Sequence, residues 1–254
     1  MTLPEEKVNA IFSETEWQAR IELAACYRLA DIFGFSDVIW NHITARIPGT
    51  DHFLIKCLGL RYDEVCASNL VTLDMNGDVV NRGGAKNDED LNVTGFVIHS
   101  AIYAARADVN CVMHTHSPAG LAVSVLKDGL VPMVLDVMPL KDRVSYHECE
   151  GLSVDTNERQ RLAKSLGENN AMIMRNHGLV SCGESVGAAF MLMYYLERAC
   201  SVQLQVQASG QEYVLPPQEV YDQAASQYDL YPYGKYEWPA LLRLVEQKSP
   251  GFRQ

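Results

Sequence analysis

The sequence predicts a single α/β domain with a mixed or antiparallel sheet, and three observations support this prediction. The 254 residues suit one large domain or two small ones, but neither an internal repeat nor a clear linker divides them. Helical and alternating apolar patterns follow one another along the chain. Asn76-Gly77, the strongest short turn signal in the sequence, lies between two alternating runs and indicates an antiparallel hairpin.

The first part of the domain is predicted to hold one helix and two hairpins. Helical spacing covers residues 15–35 and ends at Gly34, a natural helix stop. The alternating runs 42–48 and 52–59 flank a Pro-Gly turn and predict the first hairpin. Residues 70–80 form the second hairpin, and a polar, glycine-containing loop follows at 81–90.

Helices and strands are predicted to alternate through the rest of the domain. Asn92 caps the next helix, Pro118 fits the first turn of another, and Asp155 with Glu158 has capping-box spacing. The predicted segments are a helix at 93–108, a buried strand at 109–116, helices at 117–129 and 155–167, a strand-turn-strand at 171–183 and a long helix at 185–207.

Three regions follow from this reading. Residues 1–14 form an N-terminal tail, and residues 15–210 form the domain. Residues 211–254 hold six of the twelve tyrosines and five of the ten prolines. They are therefore predicted to be an extended arm, packed on the same domain or on a neighbouring subunit.

Composition excludes several classes of protein. The net charge of −11, with a pI near 5.1 and no basic stripe, argues against nucleic acid and against anionic membrane surfaces as partners. No apolar run approaches the roughly 18 residues of a membrane span, and the first residues do not resemble a secretory signal. Seven cysteines without a C-x-x-C pair are interpreted as reduced thiols in a cytoplasmic protein.

Two histidines at the end of the predicted strand 109–116 suggest a metal site. Residues i and i+2 of a strand point to the same face, so His114 and His116 project side by side. His177 lies at another strand end, before a glycine that lets the backbone turn tightly, and is the best third ligand. A three-histidine site leaves coordination positions open. Taken alone, this spacing fits hydrogen-bonded core histidines equally well.

Longer motifs resemble a known family. In chain order they read HFLIKCLGLRYDEVCASNLV, GFVIHSAIYAARADVNCVMHTHSPAGLAVSVL and MRNHGLVSCGESVGAAF. They resemble the class II aldolase/adducin family over about residues 41–200. The resemblance implies a mostly antiparallel, nine-stranded sheet flanked by helices. It also implies a divalent metal on His114, His116 and His177, with Zn²⁺ first and Fe²⁺ or Mn²⁺ as alternatives, and a homo-oligomer, most often a tetramer, with sites at subunit interfaces.

The sequence departs from the family's aldolases at the positions that carry their chemistry. Gly95 stands where they have the glutamate that acts as general acid/base, four residues before a histidine that corresponds to His99. Leu58-Gly59 and Val93-Thr94 replace their phosphate-binding hydroxyl groups. A phosphosugar aldolase is therefore disfavoured. Gly95-Phe96 instead resembles adducin heads, which are cytoskeletal and have no known catalysis.

Further residues are candidates for the site. Tyr146, His147 and Glu148 could supply the proton-transfer group that Gly95 lacks, although an exposed polar turn is the favoured interpretation of this segment. Asn41, Gly59, Gly95 and Arg175 are candidate substrate-binding residues, with Arg175 suited to a carboxylate. His42 is interpreted as a packing residue. Asp136 aligns loosely with a tyrosine that the aldolases supply across a subunit interface.

Three functions remain, in order of preference. The first is a metal-dependent lyase, by retro-aldol cleavage or decarboxylation, on a small unphosphorylated oxo or hydroxy acid. The second is a non-haem Fe²⁺ oxygenase on the same three-histidine scaffold, because imidazole ligands suit zinc and iron alike. The third is a non-catalytic adducin-like protein, ranked last because adducins act through a long basic tail that this sequence does not show.

Overall fold

A single eight-stranded sheet forms the centre of the protein. The computed structural model describes residues 11–85, 90–153, 155 and 157–254. The strands are β1 (His42–Arg46), β2 (Phe53–Ile55), β3 (Val71–Leu73), β4 (Val79–Asn81), β5 (Cys111–Thr115), β6 (Val144–His147), β7 (Ala171–Met174) and β8 (Gly178–Gly183). Their order across the sheet is β4-β3-β2-β1-β5-β8-β7-β6.

The sheet is mostly antiparallel, as predicted, but it has eight strands in the described residues rather than the expected nine. Only β6 and β7 run parallel. Two further backbone pairings, Asp37 with Trp40 and Cys57 with Leu91, stay isolated bridges. The second ends after one pair because the next residue, Asn92, already caps a helix through its side chain. Pairing of one residue is too short for a strand.

The described chain contains seven α-helices, six of which cover the two faces of the sheet. They are α1 (Glu14–Ile32), α2 (Val93–Ala105), α3 (Pro118–Ser124), α4 (Glu158–Leu166), α5 (Val186–Ala208), α6 (Gln218–Tyr228) and α7 (Glu237–Lys248). Helices α1, α3, α5 and α7 pack on one face, around a large apolar core. Helices α2 and α4 pack together on the other face, over a second core.

Strand alternation assigns side chains to these two cores. On β5, Cys111 and Met113 belong to the core under α1 and α5, whereas Val112 belongs to the core under α2. Each apolar side chain of β5 is fully buried, because helices cover both faces. Burial on both faces explains why the sequence of this strand is a continuous apolar run.

Most predicted elements are found, with differences at their ends. Both hairpins are confirmed, and the Asp74 carboxylate accepts the backbone N–H groups of Asn76 and Asp78 in the second turn. The helix predicted at 117–129 ends at Ser124, where a turn ending in Gly129 begins. Asp155 forms a turn with Asn157, and α4 begins after it. Residues 1–10 of the predicted tail and 86–89 of the predicted loop lie outside the described residues.

Two segments were misread from the sequence. Residues 144–147 were interpreted as part of an exposed turn, but they form β6, which pairs with β7 in register from Val144 with Ala171 to His147 with Met174. The arm 211–254 was expected to be extended, but it contains α6 and α7. Pro216 and Pro217 directly precede α6 and Pro239 lies in the first turn of α7, where the missing N–H is no loss.

The arm packs on the same chain through small residues. Trp238 of α7 lies against Gly187 of α5, where an added Cβ would come 2.9 Å from the tryptophan side chain. Gly234, at φ 81°, brings its backbone so close that an added Cβ would lie 2.4 Å from the carbonyl carbon of Gly187. Tyr221 of α6 donates a hydrogen bond to the Pro132 carbonyl. No helix in the described part of the chain is long and apolar enough to cross a bilayer.

We expect Gly234→Ala to destabilise the protein more than Gly210→Ala does. Both glycines have positive φ, but an added Cβ at Gly210 meets nothing within 4 Å. The difference in unfolding free energy between the two variants therefore reports the close approach of Gly234 to α5. Overpacking at this contact should lower the unfolding free energy of Gly234→Ala by roughly 1–3 kcal/mol. Urea unfolding of the two variants measures it. Equal losses would show that the glycine contact does not hold the arm.

Candidate metal centre

β5 places two histidines side by side on the face that α2 covers. His114 follows Val112 on this face, and His116 comes one residue beyond the end of the strand. The antiparallel ladders pair His114 with His42 of β1 on one side and with Val180 of β8 on the other. The alternation predicted from H-x-H is therefore observed, and His114 is buried while His116 is half-buried.

His177 reaches the same place from the turn between β7 and β8. Gly178 lets this turn approach β5, because a Cβ on that residue would lie 2.4 Å from the Thr115 carbonyl oxygen and 3.0 Å from the His116 ring. Real Cβ atoms do not come that near a backbone oxygen. The glycine after His177 is thus required by contact as well as by its φ of 152°.

The three imidazoles form one cluster. Their ring centroids lie 4.8 Å apart for His114 and His116, 4.8 Å for His114 and His177, and 5.1 Å for His116 and His177. One nitrogen from each ring lies within 4.8 Å of the other two. The structure therefore brings together the three residues that the sequence singled out.

Hydrogen bonds on the outer nitrogens turn the other nitrogens toward the cluster. His114 Nδ1 lies 3.0 Å from the Leu179 carbonyl oxygen, so Nδ1 carries the proton and donates it. His116 Nδ1 lies 3.4 Å from the Asp37 carboxylate. In the tautomer in which His116 Nδ1–H donates to Asp37, both Nε2 atoms are lone-pair donors, and they face each other at 3.0 Å. Such backing by a carbonyl and a carboxylate is usual for metal-binding histidines.

This donor set fits a divalent metal ion. Two lone pairs that face each other repel, and a cation between them removes that repulsion. The 3.0 Å separation suits two nitrogens that bind the same ion, each at about 2.0–2.1 Å from it. Neutral imidazoles bind zinc, iron and manganese, so the geometry does not select one of them.

Burial keeps the three imidazoles neutral. It lowers the pKa of His114 well below the ordinary value and the pKa of His177 to about 4, and in both cases neighbouring imidazoles add to the effect. The pKa of His116 is also lowered by burial, although Asp37 opposes this. Metal ligation requires the neutral ring, so the cluster needs no deprotonation step at neutral pH.

The turn after His116 is anchored by Glu197 of α5. Its carboxylate accepts a hydrogen bond from the Ser117 hydroxyl and another, 3.0 Å long, from the Gly120 backbone N–H. The Gly120 N–H lies in the first turn of α3, where backbone N–H groups lack partners within the helix. Glu197 therefore fixes the chain directly after a candidate ligand. The sequence showed this residue only as one charge on an apolar helix.

Asn41, directly before β1, has a buried polar side chain that lacks a partner. Its side chain is 3% exposed, and neither its amide nitrogen nor its amide oxygen has a hydrogen-bond partner in the described structure. The backbone has a φ of 63°, which asparagine tolerates better than most residues. An unpaired buried amide costs about 1–3 kcal/mol, so it suits a ligand that would pair with it.

Lys56 holds the loop that carries Asn41. The residue is 1% exposed, and its ammonium group donates to the Ile39 carbonyl at 2.7 Å and to the Cys57 carbonyl at 3.3 Å. It forms no ion pair with any residue that the structure describes. The bonds join the loop before β1 to the loop after β2, which carries Leu58 and Gly59.

The other candidate substrate residues lie in different surroundings. Gly59 is exposed and open, and Gly95 is buried in the first turn of α2. Arg175 donates to the Leu126 carbonyl at 2.6 Å and stacks on Tyr146 at 4.3 Å. Its guanidinium group is thus largely engaged within the protein, and its role as a carboxylate ligand stays a prediction.

The candidate proton-transfer residues are mostly engaged in structural contacts. Tyr146 accepts the Leu130 backbone N–H at 2.9 Å. His147 is buried, with Nδ1 3.0 Å from the Ser165 hydroxyl and Nε2 3.4 Å from the buried Glu158 carboxylate. Glu148 is exposed. Their catalytic role stays a prediction. Asp136 forms a 2.6 Å ion pair with Arg198 of its own chain.

Sequence reasoning missed three residues that support the cluster. Asp37 lies in the loop before β1, Lys56 directly follows β2, and Glu197 lies on α5. The available signal was weak: a lysine follows the apolar run of β2, and a glutamate interrupts an apolar helix.

Comparison with known proteins agrees with this architecture. The sequence profile of the family described as "Class II Aldolase and Adducin N-terminal domain" matches residues 21–204. The crystal structure of an aldolase II superfamily protein from Pseudomonas syringae is 42% identical, covers 98% of this chain and 100% of its own, and superposes with a TM-score of 0.91. An L-fuculose 1-phosphate aldolase from Glaciozyma antarctica is 26% identical, with coverages of 98% and 94% and a TM-score of 0.82.

A relative that is named as an adducin is similar in sequence as well. Alpha-adducin of Mus musculus is 46% identical over 201 residues, which make up 78% of this chain and 27% of the adducin. The proteins similar to this chain therefore include both proteins named as aldolases and a protein named as an adducin.

We expect the buried Lys56 ammonium to make stability rise with pH above neutrality. Burial lowers its pKa from 10.5 to about 8, so between these values the unfolded chain binds more protons than the folded chain. The unfolding free energy should then rise between about pH 8 and 10.5, on the order of 1–3 kcal/mol relative to Lys56→Met. Burial raises the pKa of the neighbouring Tyr62 well above 10, which lowers stability as the unfolded phenol ionises near pH 10, but Tyr62 is present in both proteins and its effect cancels from their difference. Urea unfolding of both proteins across this pH range measures the effect. If their unfolding free energies change with pH in parallel, the lowered pKa of Lys56 is contradicted.

Proposed function

The chain belongs to the class II aldolase and adducin family, and from this premise we propose that it is a metal-dependent lyase acting on a small, unphosphorylated oxo or hydroxy acid. The reaction would be a retro-aldol cleavage or a decarboxylation. One observation carries the proposal: three neutral imidazoles converge in the same part of the fold as a buried amide, Asn41, that has no partner among the described residues.

Each part of the site has a role in this chemistry. His114, His116 and His177 would hold a divalent ion, which when bound polarises a carbonyl or carboxylate oxygen as a Lewis acid. The Asn41 amide has one donor group and one acceptor free, which matches the carbonyl and hydroxyl oxygens of an oxo or hydroxy acid. Asp37 and the Leu179 carbonyl keep two of the imidazoles oriented.

Phosphate recognition is not supported by the start of α2. The Asn92 side chain accepts the backbone N–H groups of Thr94 at 3.1 Å and Gly95 at 3.3 Å. The N–H groups that bind anions at helix starts are thus already used by the protein. Leu58 adds no hydroxyl group from the neighbouring loop. Both observations support an unphosphorylated substrate.

The second candidate is a non-catalytic protein, favoured by the 46% identity with alpha-adducin and by Gly95, which offers no acid or base. An Fe²⁺ oxygenase on the same ligands is the remaining alternative. Metal content separates these three functions, because the lyase needs zinc or manganese, the oxygenase iron, and the non-catalytic protein none.

We expect the purified protein to bind about one divalent ion per chain, with Zn²⁺ as the first choice, and His114→Ala/His116→Ala to lose it. Removal of two of three ligands should weaken binding by at least 100-fold. Elemental analysis and competition with a chromogenic chelator measure this. His52→Ala is the matched control, because this residue lies in the loop before β2, outside the cluster.

Turnover decides between the functions once the metal is known. The zinc- or manganese-loaded protein should cleave or decarboxylate members of a panel of small oxo and hydroxy acids, and fuculose 1-phosphate should stay intact. Ordinary turnover of that sugar phosphate would overturn the substrate class. Iron with oxygen consumption would replace the lyase by the oxygenase, and metal binding unchanged by the double substitution would refute the site.

We also expect a homo-oligomer, a tetramer by the family resemblance, with the metal near a subunit boundary. Apolar side chains are exposed in the loop that contacts His116, with Val38 68% and Trp40 53% exposed. Val125, just after α3, is 58% exposed. Covering them would stabilise an assembly. Light scattering should give a mass several times 28.3 kDa. A stable monomer that turned over substrate would rule out the assembly.

A further inference from the structure

Gly95 has no room for a side chain, and the obstacle is a histidine. A Cβ built on Gly95 would lie 2.9 Å from Cγ and 3.1 Å from Cδ2 of His42, and 3.0 Å from Cδ1 of Ile55. The isoleucine methyl group is the end of a flexible side chain and can shift. The imidazole ring is rigid and is met near its attachment point. A side chain at position 95 therefore requires His42 to move.

His42 is held where it is by a buried chain of hydrogen bonds. The residue is 2% exposed. Its Nδ1 lies 2.9 Å from Nε2 of His99, and its Nε2 lies 3.3 Å from the Thr94 hydroxyl. The chain continues from His99 Nδ1 to the Thr44 hydroxyl at 2.6 Å, and from there to the Tyr103 hydroxyl at 2.8 Å. Displacing the ring would break both of its own bonds in a region that water does not reach.

The same ring also packs against a candidate metal ligand. The β1–β5 ladder sets His42 directly opposite His114, and the two rings lie 5.0 Å apart at an angle of 31°. A ring held on both nitrogens limits how far its neighbour can rotate. His42 thus lies between position 95 on α2 and the buried ligand on β5.

We propose that His42 and Gly95 form a matched pair, in which His42 occupies the space that a side chain at position 95 would need and positions the ring of His114. A carboxylate at position 95 and a histidine at position 42 exclude each other. The absence of a side chain at 95 is therefore compensated by a specific residue on the neighbouring strand, and any acid or base for the reaction must come from elsewhere.

This pairing rests on the proposed function, because His114 is a ligand only if the metal site exists. The contact between His42 and position 95 can nevertheless be tested in metal-free protein without substrate. A failure of the pairing can therefore be told apart from a failure of the metal or lyase assignment.

The test is a double-substitution cycle of Gly95→Ala and His42→Ala, read by thermal unfolding of the metal-free protein. Alanine in place of an unhindered helix glycine usually stabilises. Here Gly95→Ala should lower Tm by about 3–10 °C in the otherwise unchanged protein, and should leave Tm unchanged or raise it in the His42→Ala background. Gly59→Ala, where a Cβ meets nothing within 4 Å, is the control and should shift Tm equally in both backgrounds.

A second readout separates positioning from general loss of stability. Histidine side-chain ¹H–¹⁵N spectra of metal-free Gly95→Ala should show changed signals for His42 and His114. The signals of His147, which bonds to Ser165 and Glu158 on other elements, should stay in place. Unchanged His42 and His114 signals would overturn the positioning role.

Poor folding of one variant does not leave the pairing untested. His42→Asn has a shorter side chain that keeps a hydrogen-bonding group toward His99, and it can replace His42→Ala in the cycle. Rescue of Gly95→Ala by either substitution at position 42 supports the matched pair. A Gly95→Ala effect of the same size and sign with and without His42, or a double variant no better folded than Gly95→Ala alone, overturns it.

Discussion

The two hydrogen-bonded ladders on either side of β5 determine where every part of the candidate site lies. One ladder sets His42 opposite His114, and the other sets Val180 opposite the same residue. A shift of either register by one residue would move His114 to the face under α1 and α5. Position in the sheet, rather than any local motif, therefore makes a cluster out of residues separated by more than sixty positions in sequence.

The cluster also depends on uncharged surroundings. Helices cover both faces of β5, so the imidazoles stay neutral, and among the residues that the structure describes the only acidic group bonded to them is the half-buried Asp37. A site of this kind attracts a cation through lone pairs rather than through net charge. Lys56 and Asn41 follow the same pattern, because each is buried and neither has an acidic partner among the residues described. The desolvation that burial imposes on these groups is offset by the large apolar cores on both sides of the sheet.

Local patterns predicted much of this from the sequence. The alternation at His114 and His116, the glycine after His177 and the Asn76-Gly77 turn each express a rule that acts over a few residues, and each is found. β6 was missed because Val144–His147 is only half-buried apart from His147, so its alternation carries little apolar contrast. The contacts of Asp37, Lys56 and Glu197 were not predictable, because each joins segments that only the tertiary fold brings together. His42 was interpreted as a packing residue, which its contacts confirm, but its relation to Gly95 requires the distance between β1 and α2.

The end of the chain is bonded to its first third. The backbone N–H groups of Ala67 and Ser68 donate to the carbonyl oxygens of Phe252 and Gln254, and the buried Phe252 belongs to the main core. Bringing such distant segments together is entropically costly, so these contacts form late in folding. During synthesis on a ribosome, the loop at residues 66–69 therefore waits for its partners until residues 252–254 have left the exit tunnel.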